Sequence, residues 1–211
     1  MEAGCLRACR GHPSIIEIDG VAVDPKTGDV HLVLELIRGG LSLRDYFWRT
    51  PSEDAIREMM RQLIGAAEKV HGLGFIHRDI KSDNILVCPL GELKLCDFGS
   101  ATRKKPDGKP HEAYPVGTLQ YNAPELLDGN WYYGPAVDMW GLGCVMAELL
   151  RATPAGAPKS RPPYLVWVLS LLLLALYFAI FSNRSPKTKA PKSFLTDNDN
   201  WDPLVIFCSS N

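Results

Sequence analysis

The chain has 211 residues, with 23 basic and 24 acidic side chains and a formal net charge of −1. That balance argues against a nucleic-acid binder, and it provides no long-range steering of charged partners. The 46% hydrophobic content suits a packed core, and the six cysteines lack metal-type spacing, so they read as small buried thiols in a reducing compartment.

In chain order, the amino terminus lacks the basic-then-apolar order of a signal peptide. Glu2 to Arg10 reads as the last turns of a helix stopped by Gly11, with Cys5 and Cys9 one turn apart. Val21–Val23 and Val30–Leu36, around a turn at Asp24–Asp29, predict two antiparallel strands. Thr50-Pro51-Ser52-Glu53 predicts a helix start, with Thr50 and Glu53 spaced as a capping box and Pro51 at the first helical position. Ile56, Met59, Met60, Leu63, Ile64, Ala67 and Val70 then recur at helical spacing until Gly72 and Gly74, which predicts an amphipathic helix against a core. His71 near its end and His111 in a polar loop have no partners spaced as metal ligands, so both read as structural or solvated.

The chemistry concentrates in His77-Arg78-Asp79-Ile80-Lys81-Ser82-Asp83-Asn84, followed by Asp97-Phe98-Gly99. Between them, Ile85–Val87 and Leu93–Leu95 are strand-like runs around a Pro89–Glu92 turn, and this hairpin brings Asn84 close to Asp97. An amide oxygen and a carboxylate there suit Mg²⁺, a hard cation that keeps waters and takes further ligands from phosphates. Asp79 would orient and deprotonate an attacking hydroxyl, and the Lys81 ammonium would neutralise charge on the transferred group. The equipment is that of phosphoryl transfer.

These residues resemble the protein kinase family, whose catalytic loop places Asp and then Asn five residues later, ahead of an Asp-Phe-Gly triplet. Ala123-Pro124-Glu125 and Asp138-Met139-Trp140-Gly141 are similar to the family's next two landmarks, in order. Lys81 two residues after Asp79 looks like the serine/threonine branch, and Asp-Phe-Gly-Ser-Ala with Gly117–Tyr121 is similar to plant cyclin-dependent-kinase-like proteins. The resemblance spans residues 2 to about 151. It implies ATP and Mg²⁺ as cofactors, a protein substrate and a cyclin-like regulator. It further implies Asn84 and Asp97 as metal ligands, Asp79, Lys81 and Thr118 as catalytic residues, and Asp138 as a brace for the loop.

By the same resemblance, Leu34 borders the back of the nucleotide pocket, backbone groups of Glu35 and Ile37 meet adenine, and Leu86 forms its floor. Glu2 resembles the regulatory-helix glutamate, Ser100–Tyr121 the activation segment, and Arg78 the arginine that pairs with a phosphorylated residue in regulated kinases. No glycine-rich loop or strand lysine stands upstream of Glu2 in this sequence.

Pro135 opens a second helix, apolar on nearly every face through Leu150. Beyond a Pro- and Ala-rich linker, residues 164–181 carry no charge, and eighteen residues at about 1.5 Å each give roughly 27 Å, enough to cross a hydrocarbon core. The expected fold class is therefore α+β. A partial kinase-like fold, with a small-lobe remnant at 1–37 and a partial large lobe at 38–151, would be followed by a linker at 152–163, a transmembrane helix at 164–181 and a polar tail at 182–211. The expected localisation is a single-pass membrane protein with the kinase-like part in the cytosol, either as a serine/threonine kinase or as a catalytically silent, membrane-tethered binding module.

Overall fold

The computed structural model describes residues 1–46, 51–112 and 115–152. Helix α1 (Glu2–Ala8) turns Cys5 and Leu6 into the core, and Gly11, at φ +81°, supplies the left-handed residue that releases the chain from the helical direction. Strands β1 (Ile18–Val23) and β2 (Val30–Leu34) form an antiparallel pair with a register shift between Ile18 and Gly20. Most of this hairpin is exposed, including Val23 and Val30.

Strand β3 (Leu41–Ser42) leads directly into α2 (Leu43–Tyr46), and α3 (Glu53–Gly72) forms the long helix of the molecule. Its start differs from the predicted capping box. Ser52 is the N-cap, its Oγ accepting from Ala55 N at 3.2 Å, so Pro51 precedes the helix and Glu53 and Asp54 fall in its first turn. A cap is set by which side chain reaches a free N–H, and Ser52 in extended backbone reaches one. Thr50 lies outside the described residues.

Strand β4 (Phe75–Ile76) follows, then β5 (Ile85–Val87), β6 (Leu93–Leu95) and β7 (Thr102–Arg103). The three-stranded sheet has the order β3-β5-β6, and β4 pairs with β7. Ile16 N donates to Leu95 O and Leu95 N to Ser14 O, each at 3.0 Å, so β6 joins the amino-terminal segment to the helical part. Helices α4 (Pro124–Leu127) and α5 (Ala136–Arg151) complete the described chain. Apolar side chains of α1, α3, β5, β6 and α5, among them Leu6, Leu63, Val70, Ile85, Leu93, Val145 and Leu149, form one core. Most of the buried face of α3 consists of the periodic residues expected from sequence.

Among the described residues no helix is long and apolar enough to cross a membrane. The expected 164–181 span, nearly all of the linker before it and the polar tail lie outside the described residues.

Candidate active site

The loop after β4 is held from below by Asp138 of α5. Its Oδ2 accepts from His77 N at 2.8 Å and from His71 Nε2 at 2.7 Å, and its Oδ1 accepts from Arg78 N at 2.7 Å. Asp138 is 1% exposed. Burial alone would raise its pKa, but the bond and charge of His71 and the neighbouring backbone N–H outweigh it and hold the carboxyl below its ordinary range. The brace bends the chain: Arg78 has φ 69°, a left-handed conformation for a side-chain-bearing residue, immediately before Asp79.

Beyond that bend the expected groups converge. Asp79 Oδ1 accepts from Thr118 Oγ1 at 2.7 Å, while Oδ2 lies 3.0 Å from Lys81 Nζ and accepts from Asn84 Nδ2 at 3.1 Å. Lys81 Nζ also donates to Thr118 Oγ1 at 2.8 Å, and Asn84 Nδ2 to the Asp79 carbonyl at 2.9 Å. One carboxylate is thus oriented through both oxygens. The Asn84 amide nitrogen is spent on Asp79, which leaves its oxygen for a cation. Cys96 N donates to Asn84 O at 2.8 Å, so the hairpin places Asp97 beside Asn84.

Asp97 is exposed, at φ 59°, and accepts a 3.2 Å bond from Gly99 N. Among the described residues no cluster of three or more His, Cys, Asp or Glu side chains is arranged to hold a metal. The donor set of one carboxylate and one amide oxygen fits Mg²⁺, which takes few protein ligands and completes its shell with phosphates and waters.

Glu2 also reaches this corner. Burial together with the Asp97 charge raises the pKa of its carboxyl, against the lowering influence of the chain's own amino terminus and the Phe98 backbone N–H. Phe98 is fully buried and meets the His77 ring edge-on at 4.6 Å between centroids.

The residues expected around the nucleotide occupy a more open region. Leu34 is 38% exposed. Glu35 N donates to Glu17 O at 3.0 Å and Gly40 N donates to Ile37 O at 3.2 Å, so the Glu35 N–H is already engaged within the chain. Glu35 Oε1 accepts from Lys94 Nζ at 2.6 Å, and Lys94 stands opposite Leu86 across β5 and β6. The structure therefore gathers Glu35 and half-buried Leu86 at one place.

Both histidines take the structural of the two expected roles, though their partners were not foreseen: His71 is the partner of Asp138 described above, and His111 is 4% exposed, its ring stacked on Tyr133 at 4.2 Å. A further unforeseen group fixes the far side of the loop: the Tyr121 hydroxyl bonds Ser82 Oγ at 2.9 Å and Glu148 Oε1 at 2.7 Å, and receives Arg44 Nη2 at 3.1 Å. Burial, reinforced by Glu148, pushes the Tyr121 phenol up to about 12, against the lowering bond from Ser82. No motif flags these residues, because their partners come from distant parts of the chain.

The protein kinase domain model matches residues 1–164. A protein of Oryza sativa subsp. japonica bearing the name cyclin-dependent kinase F-2 is 43% identical over 168 residues, covering 76% of this chain and 51% of its own length. Cyclin-dependent kinase C-2 C of Arabidopsis thaliana is 42% identical over 146 residues, 68% of this chain and 22% of that protein. Serine/threonine-protein kinase ppk23 of Schizosaccharomyces pombe is 37% identical over 164 residues, 76% of this chain and 40% of that protein. The chain thus spans about half or less of the length of these relatives. With its catalytic-loop geometry and these matches together, the chain belongs to the protein kinase family, among serine/threonine kinases similar to the cyclin-dependent kinases of plants.

Proposed function

We propose that this chain carries the phosphoryl-transfer centre of a serine/threonine protein kinase, moving the ATP γ-phosphate to a Ser or Thr hydroxyl of a protein substrate. The supporting observation is the Asp79 carboxylate, oriented by Thr118 on one oxygen and by Lys81 and Asn84 on the other. The substrate hydroxyl oxygen attacks the γ-phosphorus, the bond to the bridging oxygen of ADP breaks, and Asp79 takes the hydroxyl proton. Lys81 offsets charge on the moving phosphoryl group. Asn84 and Asp97 would hold Mg²⁺, which when bound neutralises the phosphates. Leu34, Leu86 and backbone groups of Glu35 and Ile37 would receive the adenine.

Calorimetric titration with Mg-ATP tests this reading. Saturable binding that Asp97→Ala reduces by about tenfold or more supports it, since a lost metal ligand removes a direct phosphate clamp. Absence of binding at millimolar Mg-ATP would instead favour a silent binding module.

A cyclin-like protein is the proposed regulator, supported by the names of the relatives. Membrane anchoring through residues 164–181 is proposed on sequence alone, with the kinase part in the cytosol. Deleting residues 159–211 should then move the expressed protein into the aqueous phase, and persistent membrane association of that deletion would overturn the anchor.

A further inference from the structure

We infer that Tyr133 is a positioning residue for the catalytic aspartate, acting through Arg78; the inference rests on the reading of Asp79 as the proton acceptor. Arg78 is covalently next to Asp79 and 6% exposed, and its backbone N–H is already taken by Asp138. Its guanidinium donates from Nε to the Ser100 carbonyl at 2.7 Å and from Nη1 to the Tyr133 hydroxyl at 2.8 Å. One side chain therefore joins three segments: the catalytic loop, the chain just past Asp97–Gly99, and the approach to α5.

Tyr133 is itself fixed at both ends. Its ring packs against the buried cluster formed by Ile76, Ala123 and Val137, and it stacks on His111 at 4.2 Å with an interplanar angle of 13°. His111 N in turn donates to Trp131 O at 2.8 Å. The neighbouring Tyr132 is 63% exposed, so position 133 alone of this pair turns inward. A left-handed, side-chain-bearing residue keeps that conformation only while its surroundings over-determine it. At Arg78 those restraints include the Asp138 carboxylate on the backbone and the Tyr133 hydroxyl on the side chain. Losing the hydroxyl leaves a buried cation short of an acceptor and loosens the bend that aims Asp79. Arg78 makes further contacts, so the effect is a loosening and not a release.

The test is amide hydrogen exchange on the full chain and on Tyr133→Phe, Arg78→Met and the double variant. The probes are Asp79 N–H, bonded to His77 Nδ1 at 3.3 Å, and Ala101 N–H, bonded to Phe98 O at 3.0 Å, with Val70 in α3 as the internal reference. Tyr133→Phe keeps the ring and its stack. It should speed exchange at Asp79 and Ala101 by about tenfold, the scale of one lost bond to a charged group, while Val70 is unchanged. In the Arg78→Met background the same change should add less than about twofold, because a residue acting through another cannot act twice.

Unchanged exchange in Tyr133→Phe, a rise that includes Val70, or the full effect in the Arg78→Met background would each overturn the proposal. Should Arg78→Met fail to fold, the Arg78 Nε–H resonance is the second readout. A shifted and faster-exchanging signal in Tyr133→Phe is expected, and an unmoved one overturns the link. Neither measurement uses nucleotide, so failure of the kinase reading would appear separately, in the Mg-ATP titration.

Discussion

Thr118 Oγ1 donates to Asp79 Oδ1 at 2.7 Å and accepts from Lys81 Nζ at 2.8 Å, so one hydroxyl links the candidate base and the candidate charge neutraliser. Replacing it by the near-isosteric valine removes both bonds and keeps the volume. Thr118→Val should lower unfolding free energy by about 1.5–3 kcal/mol, the range for bonds to charged groups. Thr118→Ser should stay close to wild type. Urea unfolding of the two variants decides the matter, and equal losses would show that the methyl group, not the hydroxyl, is the stabilising part.

Helix α5 offers a paired test of how closely it supports the loop. A Cβ on Gly141 would lie 2.8 Å from the Ile80 carbonyl oxygen and 3.2 Å from Ile80 Cβ, whereas one on Gly143 would meet nothing within 4 Å. Alanine in place of glycine favours a helix by up to about 1 kcal/mol, while overpacking against backbone costs about 1–3 kcal/mol. Gly143→Ala should therefore stabilise the protein. Gly141→Ala should destabilise it on balance and displace Ile80, which lies between Asp79 and Lys81. Thermal unfolding of both variants reads the sign directly.

Acid should weaken the fold through His77. The ring is fully buried; its Nε2 lies 3.0 Å from the Cys96 carbonyl and its Nδ1 accepts from Asp79 N at 3.3 Å, so the neutral form satisfies both nitrogens. Burial lowers its pKa, outweighing the nearby carboxylates that act the other way. In the unfolded chain the imidazole takes its proton near its ordinary value of about 6.5, but the folded form resists it to lower pH. Stability is thus unaffected by this group above that value and falls as pH drops from there toward the folded pKa. The slope is at most about 1.4 kcal/mol per pH unit. Urea midpoints between pH 7 and 5, compared with His77→Phe, isolate the contribution; an identical slope in the variant would assign the loss to other groups.

Much of the site was legible because its decisive contacts are short in sequence or carried by motif spacing. The Asp79–Asn84 pair spans five residues, and the hairpin from Ile85 to Leu95 returns the chain to Asp97 by ordinary strand pairing. The cap of α3 was misplaced by two residues for a local reason: Thr50 and Ser52 are both competent caps, and backbone conformation chooses between them.

The sequence by itself determined the amphipathic face of α3, the hairpin, and which residues are candidates to meet phosphate, metal and proton, since periodicity and spacing are properties of neighbours along the chain. Only the tertiary structure decided that His71 stands 67 residues away against Asp138, that Tyr133 reaches Arg78 across 55, and that Arg44 meets Tyr121 across 77. Such pairs come together only once α3 and α5 have packed and enclosed their polar groups. It is the penalty for leaving a buried charge or hydroxyl unpaired that then selects their partners.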